Sequence, residues 1–154
     1  MNRVLDKTFS KVGRPFEVLV VEDEPADADL IRMALEDGPY ACNVQLAING
    51  VEALRFLKDG VAIGGTRPDL VLLDLNMPQM DGREVLRSIK ADHDLATIPV
   101  VVLTTSDTEK DVMSCYGHRA GGFITKPTSV DDLVKVIHCV EKYWFSTVRR
   151  PTRY

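Results

Sequence analysis

The stretch DLVLLDLNMPQMDG, residues 69–82, decides the fold. Leu70, Val71, Leu72 and Leu73 form an apolar run without alternation, which marks a strand buried on both faces. Asp74 sits where that strand should be driest. Asn76, Met77 and Pro78 then form a turn, and Asp81-Gly82 lead into a helix carrying Val85, Leu86 and Ile89. A carboxylate in that place is either a structural acid that caps or turns the chain, or a group placed to do chemistry.

The rest of the chain repeats this rhythm. FEVLVV (16–21) reads as a buried strand, and Pro25 opens a helix carrying Ala28, Ile31, Ala34 and Leu35 that stops at Gly38-Pro39. NVQLA (43–47) alternates like an edge strand. Asn49-Gly50 ends it, and Val51, Leu54 and Leu57 mark a second helix. Residues 60–68 read as a loop. Their glycines do not make a phosphate cradle, because no Gly-Lys-Ser/Thr follows. IPVVVLTT (98–105) is a fourth strand, and Val112, Cys115 and Tyr116 share one side of a fourth helix. GGFIT (121–125) is a fifth strand. Ser129, with Asp132 three residues on, caps a last helix carrying Val130, Leu133, Val134, Ile137 and Val140. Buried strands alternating with amphipathic helices predict an α/β domain with a parallel sheet covered on both faces. Right-handed crossovers make it doubly wound. Residues 1–15 read as an irregular arm, 16–145 as the domain and 146–154 as a polar tail.

Bulk properties narrow the function. The chain has 154 residues and a formal net charge of −4, so its overall charge does not favour nucleic acid. Cys42, Cys115 and Cys139 are scattered, which argues against a disulfide framework or zinc site and for a reducing, cytoplasmic setting. No apolar run has the ~18 residues of a membrane span, and the first residues lack a signal core.

In open parallel sheets, ligands gather beyond the carboxyl ends of the strands. Here those ends carry Glu22 and Asp23, Asp74, Thr104 and Thr105, and Lys126. Carboxylates sharing a pocket repel one another unless a cation neutralises them, and a hard divalent ion such as Mg²⁺ suits oxygen ligands. Acids, Mg²⁺, a lysine and a threonine together describe a site that holds a phosphoryl group.

VVEDE, LLDLNMPQMDG, VVLTTS and FITKP, in this order, resemble the receiver domain of two-component response regulators. The likeness spans residues 16–142. It implies a flavodoxin-like fold with five strands ordered 2-1-3-4-5 and five helices, and a chain that is a phosphoacceptor with at most slow self-dephosphorylation. Asp74 would take the phosphoryl group from a histidine kinase. Mg²⁺ would sit on Asp23, Asp74 and the backbone carbonyl of Asn76, with Glu22 in the other acidic position. Thr104 and Lys126 would contact the phosphoryl oxygens. Phe123 stands in the place of the family's switch aromatic and, lacking a hydroxyl, can switch only by packing. The resemblance also implies a cis bond before Pro127 that aims Lys126 inward. The family often has Asp-Asp where this chain has Glu22-Asp23, so Glu22 reaches the metal directly or through water.

Few residues follow the last helix, which implies a stand-alone receiver. LVVEDEPADADLIRMALE, LTTS and the aromatic end EKYWFSTV are similar to the single-domain regulators that accompany bacterial phytochrome kinases. Val136, Cys139 and Tyr143 make a second stripe on the last helix, which points to a partner surface and a homodimer.

Other readings remain for single residues. Glu22 and Asp23 could serve a helix N-terminus, Thr104 a strand, and Lys126 the surface. An aspartyl-phosphate phosphatase would need a second Asp where Asn76 stands, and an unphosphorylated binding module would not need the full set. His93, His118 and His138 share no spacing with the acids.

Overall fold

The computed structural model describes residues 15–62 and 66–147. Five parallel strands lie in the order 2-1-3-4-5: β1 (Phe16–Val21), β2 (Cys42–Ala47), β3 (Leu70–Leu73), β4 (Val100–Thr104) and β5 (Gly122–Thr125). The helices are α1 (Pro25–Asp37), α2 (Gly50–Ala62), α3 (Gly82–Ala91), α4 (Glu109–Gly117) and α5 (Val130–Lys142).

Alternation along the strands divides the core in two. Leu19, Val21, Val71, Leu73, Val100 and Val102 face α2, α3 and α4. Phe16, Val18, Val20, Leu70, Leu72, Val101 and Leu103 face α1 and α5. Burial on both sides is why β3 and β4 read as unbroken apolar runs, whereas the edge strand β2 alternates.

The helix starts follow their capping residues. Asp81 accepts from the backbone N–H of Arg83 and Glu84, Thr108 from Asp111 and Ser129 from Asp132. Glu24, rather than Asp23, caps α1, which leaves Asp23 free for the strand end.

Several local expectations change. Gly60, Val61 and Ala62 belong to α2 rather than to a loop. Val51 and Val130 are exposed in the first turns of their helices, and the buried side chains begin at Ala53 and Leu54 in α2 and at Leu133 in α5. Tyr116 is also exposed, leaving Cys115 as the buried residue of α4. Val136 packs beside the α1–α5 core, so only Cys139 and Tyr143 of the second stripe are exposed. A π-helical turn, Tyr143–Thr147, splits the three adjacent aromatics. Tyr143 faces solvent, Trp144 is half-buried, and Phe145 stacks on Phe16 at 4.1 Å with Tyr40 edge-on to both. Of the expected arm and tail, only Pro15, Ser146 and Thr147 fall within the described residues.

Candidate functional site

Three of the expected residues occupy the first position past a strand, and each is fixed by one more ladder bond. The N–H of Glu22 donates to Ala47 O at 3.0 Å, that of Asp74 to Val21 O at 3.0 Å, and that of Lys126 to Thr104 O at 2.7 Å. Thr104 is the last residue of β4 and fully buried. The sheet therefore delivers two acids, a lysine and a hydroxyl to one edge on rigid backbone.

Glu22, Asp23 and Asp74 converge so that one oxygen from each lies within 4.8 Å of the others. Lys126 Nζ lies 2.5 Å from Glu22 Oε1, 3.1 Å from Asp27 Oδ2 and 3.8 Å from Asp74 Oδ2. Asp74 Oδ1 accepts from the Asn76 N–H at 3.3 Å, which brings the Asn76 backbone against the cluster. Glu22 Oε2 accepts from the Glu24 N–H at 3.2 Å. Thr104 Oγ1 accepts from the Ser106 N–H at 3.4 Å. Phe123 is half-buried against the core on the α2–α4 side.

The expected cis bond before Pro127 is absent: every described peptide bond is trans. Trans is favoured for Xaa-Pro by ~0.5–1 kcal/mol. With that bond trans, the Lys126 side chain is buried and reaches Glu22 and Asp27.

Burial is the main force on Glu22, and the Asp74 charge adds to it. Lys126 opposes both, yet the Glu22 carboxyl is pushed from its ordinary 4.5 up to about 7. Burial alone would lower Lys126, but its bond to Glu22 and the nearby Asp74 raise it overall, so the ammonium stays charged. A donor set of three carboxylates sharing a buried site suits a hard divalent cation.

The Glu22 value has a consequence for stability. Between pH 4.5 and about 7 the folded chain holds a proton that the unfolded chain lacks. The contribution is thus full below 4.5 and is lost as pH rises through about 7. It amounts to no more than ~3.5 kcal/mol, from ~1.4 kcal/mol per pKa unit. Urea unfolding in EDTA at pH 5 and pH 8 should show this fall, and Glu22→Gln should flatten it. A Gln variant with the same slope as the native chain would remove Glu22 as its source.

Two features escaped the sequence. Asp27 sits in the first turn of α1, where an acid reads simply as a helix-start residue, so its reach to Lys126 carried no signal of its own. Arg83 and Asp111 form a two-bond ion pair at 2.8 and 2.7 Å between α3 and α4, and Ser106 also donates to Asp111. Arg83 and Ser106 hold the Asp111 carboxyl well below the ordinary range. No local pattern links residues so far apart in the chain.

The family model for the response regulator receiver domain matches residues 18–138. The chain belongs to the response regulator receiver family. This receiver is 41% identical over 138 residues to response regulator Rcp1 of a Synechocystis species, covering 89% of this chain and 94% of Rcp1. The Mn²⁺-bound crystal form of Rcp1 matches the receiver with a TM-score of 0.83 and 40% identity, over 90% of this chain and 100% of that one. The phosphorylated cyanobacterial phytochrome response regulator RcpA matches with a TM-score of 0.84 and 40% identity, over 90% of this chain and 99% of that one. FilR2 of Methanothrix harundinacea, named a probable methanogenesis regulatory protein, is 38% identical over 137 residues, covering 89% of this receiver and 88% of FilR2.

Proposed function

We propose that Asp74 is the phosphoacceptor of this receiver, loaded by a sensor histidine kinase of the phytochrome class. The observation that carries the reading is the convergence of Glu22, Asp23, Asp74 and Lys126 at one strand edge, beside the buried Thr104 hydroxyl.

An oxygen of Asp74 attacks phosphorus, and the bond from phosphorus to the kinase imidazole breaks. The imidazole leaves with the electron pair and takes a proton, and Asp74 becomes an acyl phosphate. Asp23, Asp74 and the Asn76 carbonyl would hold Mg²⁺, with Glu22 beside it. When bound, Mg²⁺ supplies positive charge that offsets the carboxylates and the phosphoryl oxygens. Asp23 contributes ligand charge and Lys126 screens the phosphoryl oxygens.

The acyl phosphate adds about −1.5 to −2 charge and strong acceptors, as other phosphorylated residues do. The Thr104 hydroxyl turns towards them, and Phe123 packs into the space it leaves. This repacking alters the surface of α4, β5 and α5, where Met113, Tyr116, Val130 and Tyr143 are exposed. That surface meets the partner. A second copy of the chain joins through α5 near Cys139 and Tyr143. The likeness to the phytochrome regulator RcpA supports the kinase class, and cytoplasmic location follows from a kinase of that kind.

Acetyl phosphate with Mg²⁺ should add one phosphoryl group by intact mass, and EDTA should prevent it. A chain that gains no mass under these conditions overturns the reading. Transfer from a phosphorylated phytochrome kinase should outpace transfer from unrelated histidine kinases, and equal rates would remove the kinase assignment.

A further inference from the structure

Lys126 has an ammonium with three donors and no acceptor. Two of them point at carboxylates within hydrogen-bond distance, Glu22 Oε1 at 2.5 Å and Asp27 Oδ2 at 3.1 Å. Asp74 Oδ2, at 3.8 Å, lies beyond that distance. The lysine is thus committed to one buried acid just past β1 and one half-buried acid on α1 before any phosphoryl group arrives. Fully ionised, Glu22, Asp23, Asp27 and Asp74 set four negative charges against the one of Lys126. A phosphoryl group on Asp74 adds anionic oxygens that also seek this ammonium.

Glu22 and Asp27 do not compete on equal terms. Glu22 is buried, and leaving its carboxylate without Lys126 carries a full desolvation cost. The side chain of Asp27 is 34% exposed, so water replaces the ammonium there at little cost. Asp27 is therefore the bond that gives way.

We propose that Asp27 is a positioning residue that tethers Lys126 away from the phosphoryl site and must release it when Asp74 is loaded. Its carboxylate sets how tightly the site takes a phosphoryl group, acting through Lys126 and touching neither Asp74 nor its phosphate. This rests on the phosphoacceptor reading above. A partly exposed ion pair is worth up to ~1 kcal/mol, and ~1.4 kcal/mol is tenfold in an equilibrium constant. Removing the tether should therefore tighten phosphoryl-mimic binding by roughly three- to fivefold.

Beryllofluoride with Mg²⁺ serves as the probe, because it mimics the acyl phosphate and does not hydrolyse. Its affinity is read by fluorescence or calorimetry for the native chain, Asp27→Asn and Asp27→Glu. Asp27→Asn is expected to bind about three- to fivefold more tightly, with Mg²⁺ affinity within twofold of native and unfolding by urea unchanged within ~1 kcal/mol. Asp27→Glu keeps the charge and should stay near native affinity. Weaker or unchanged binding by Asp27→Asn overturns the tether, since a group that merely steadied Lys126 would give weaker binding. The native chain's own failure to bind beryllofluoride would instead overturn the phosphoacceptor reading. A crystal structure of the native chain with beryllofluoride gives a second, independent answer. Lys126 Nζ should have left Asp27 for a fluorine, and an Asp27 bond kept intact in that state overturns the proposal.

Discussion

Asp74→Asn is expected to take up no phosphoryl group from acetyl phosphate and Mg²⁺, while the native chain takes up one. It is also expected to unfold at a higher urea concentration in EDTA. The two results together separate the functional carboxylate from the structural one. Asp74 is buried and adds to the burial that drives the Glu22 carboxyl up to about 7. Its ammonium neighbour, Lys126, is 3.8 Å away and bonds instead to Glu22 and Asp27. Its contact within hydrogen-bond distance is the Asn76 N–H, which an amide oxygen at position 74 accepts equally well. Asparagine thus keeps the shape and the turn, removes a like charge from beside Glu22, and removes the nucleophile. Repulsion between unit charges 4.8 Å apart is roughly 3–4 kcal/mol at an effective dielectric near 20, and the loss of the Lys126 attraction at 3.8 Å offsets a similar amount, so the gain comes from Asp74 facing two acids, Glu22 and Asp23, against one lysine. A loss of stability of ~1 kcal/mol or more would make Asp74 a structural acid. Phosphoryl uptake by the Asn variant at the native level would place the acceptor elsewhere.

The same residue shows why so much of this molecule was legible in its sequence. A strand buried on both faces cannot alternate, so LVLL announced a central parallel strand before any partner was known. A carboxylate closing that run contradicts burial, and local rules fail most informatively at functional sites. Capping by Ser129 was readable because the donor and acceptor lie within one turn. Other features depend on where elements meet in space. The burial of Phe145 on Phe16 follows from a π-helical turn that no period in EKYWFST encodes. Arg83 meets Asp111 only because α3 and α4 share one side of the sheet. The expectation of a cis bond before Pro127 was taken from the family resemblance, and here Lys126 reaches Glu22 and Asp27 with that bond trans. Val130 misled because an apolar first residue looks like the start of a buried stripe, although the stripe begins at Leu133.

Gly82→Ala is expected to cost about 2–4 kcal/mol of stability and to slow phosphorylation of the chain that remains folded by tenfold or more. A Cβ at position 82 would stand 2.1 Å from the Asp74 carbonyl oxygen and 2.7 Å from the Leu75 Cα. Both are backbone atoms of the segment that carries the acceptor, and β3 fixes that segment through the bond from Asp74 N to Val21 O. The clash is therefore relieved by moving α3, since the sheet resists. That motion stretches the 2.9 Å bond from the Gly82 N–H to Leu75 O. It also pulls Arg83 from Asp111, whose neighbour Ser106 bonds the Thr104 hydroxyl. One methyl group thus reaches the carbonyl behind the nucleophile and the hydroxyl across from it. Gly117→Ala is the control: a Cβ there meets nothing within 4 Å, and at this last residue of α4 alanine is favoured over glycine by less than the ~1 kcal/mol of a helix interior. Urea midpoints for the two variants should move in opposite directions, and the acetyl phosphate rate should fall only for Gly82→Ala. Equal, small effects at both positions would mean that α3 yields without disturbing Asp74, and would detach the start of that helix from the chemistry of the site.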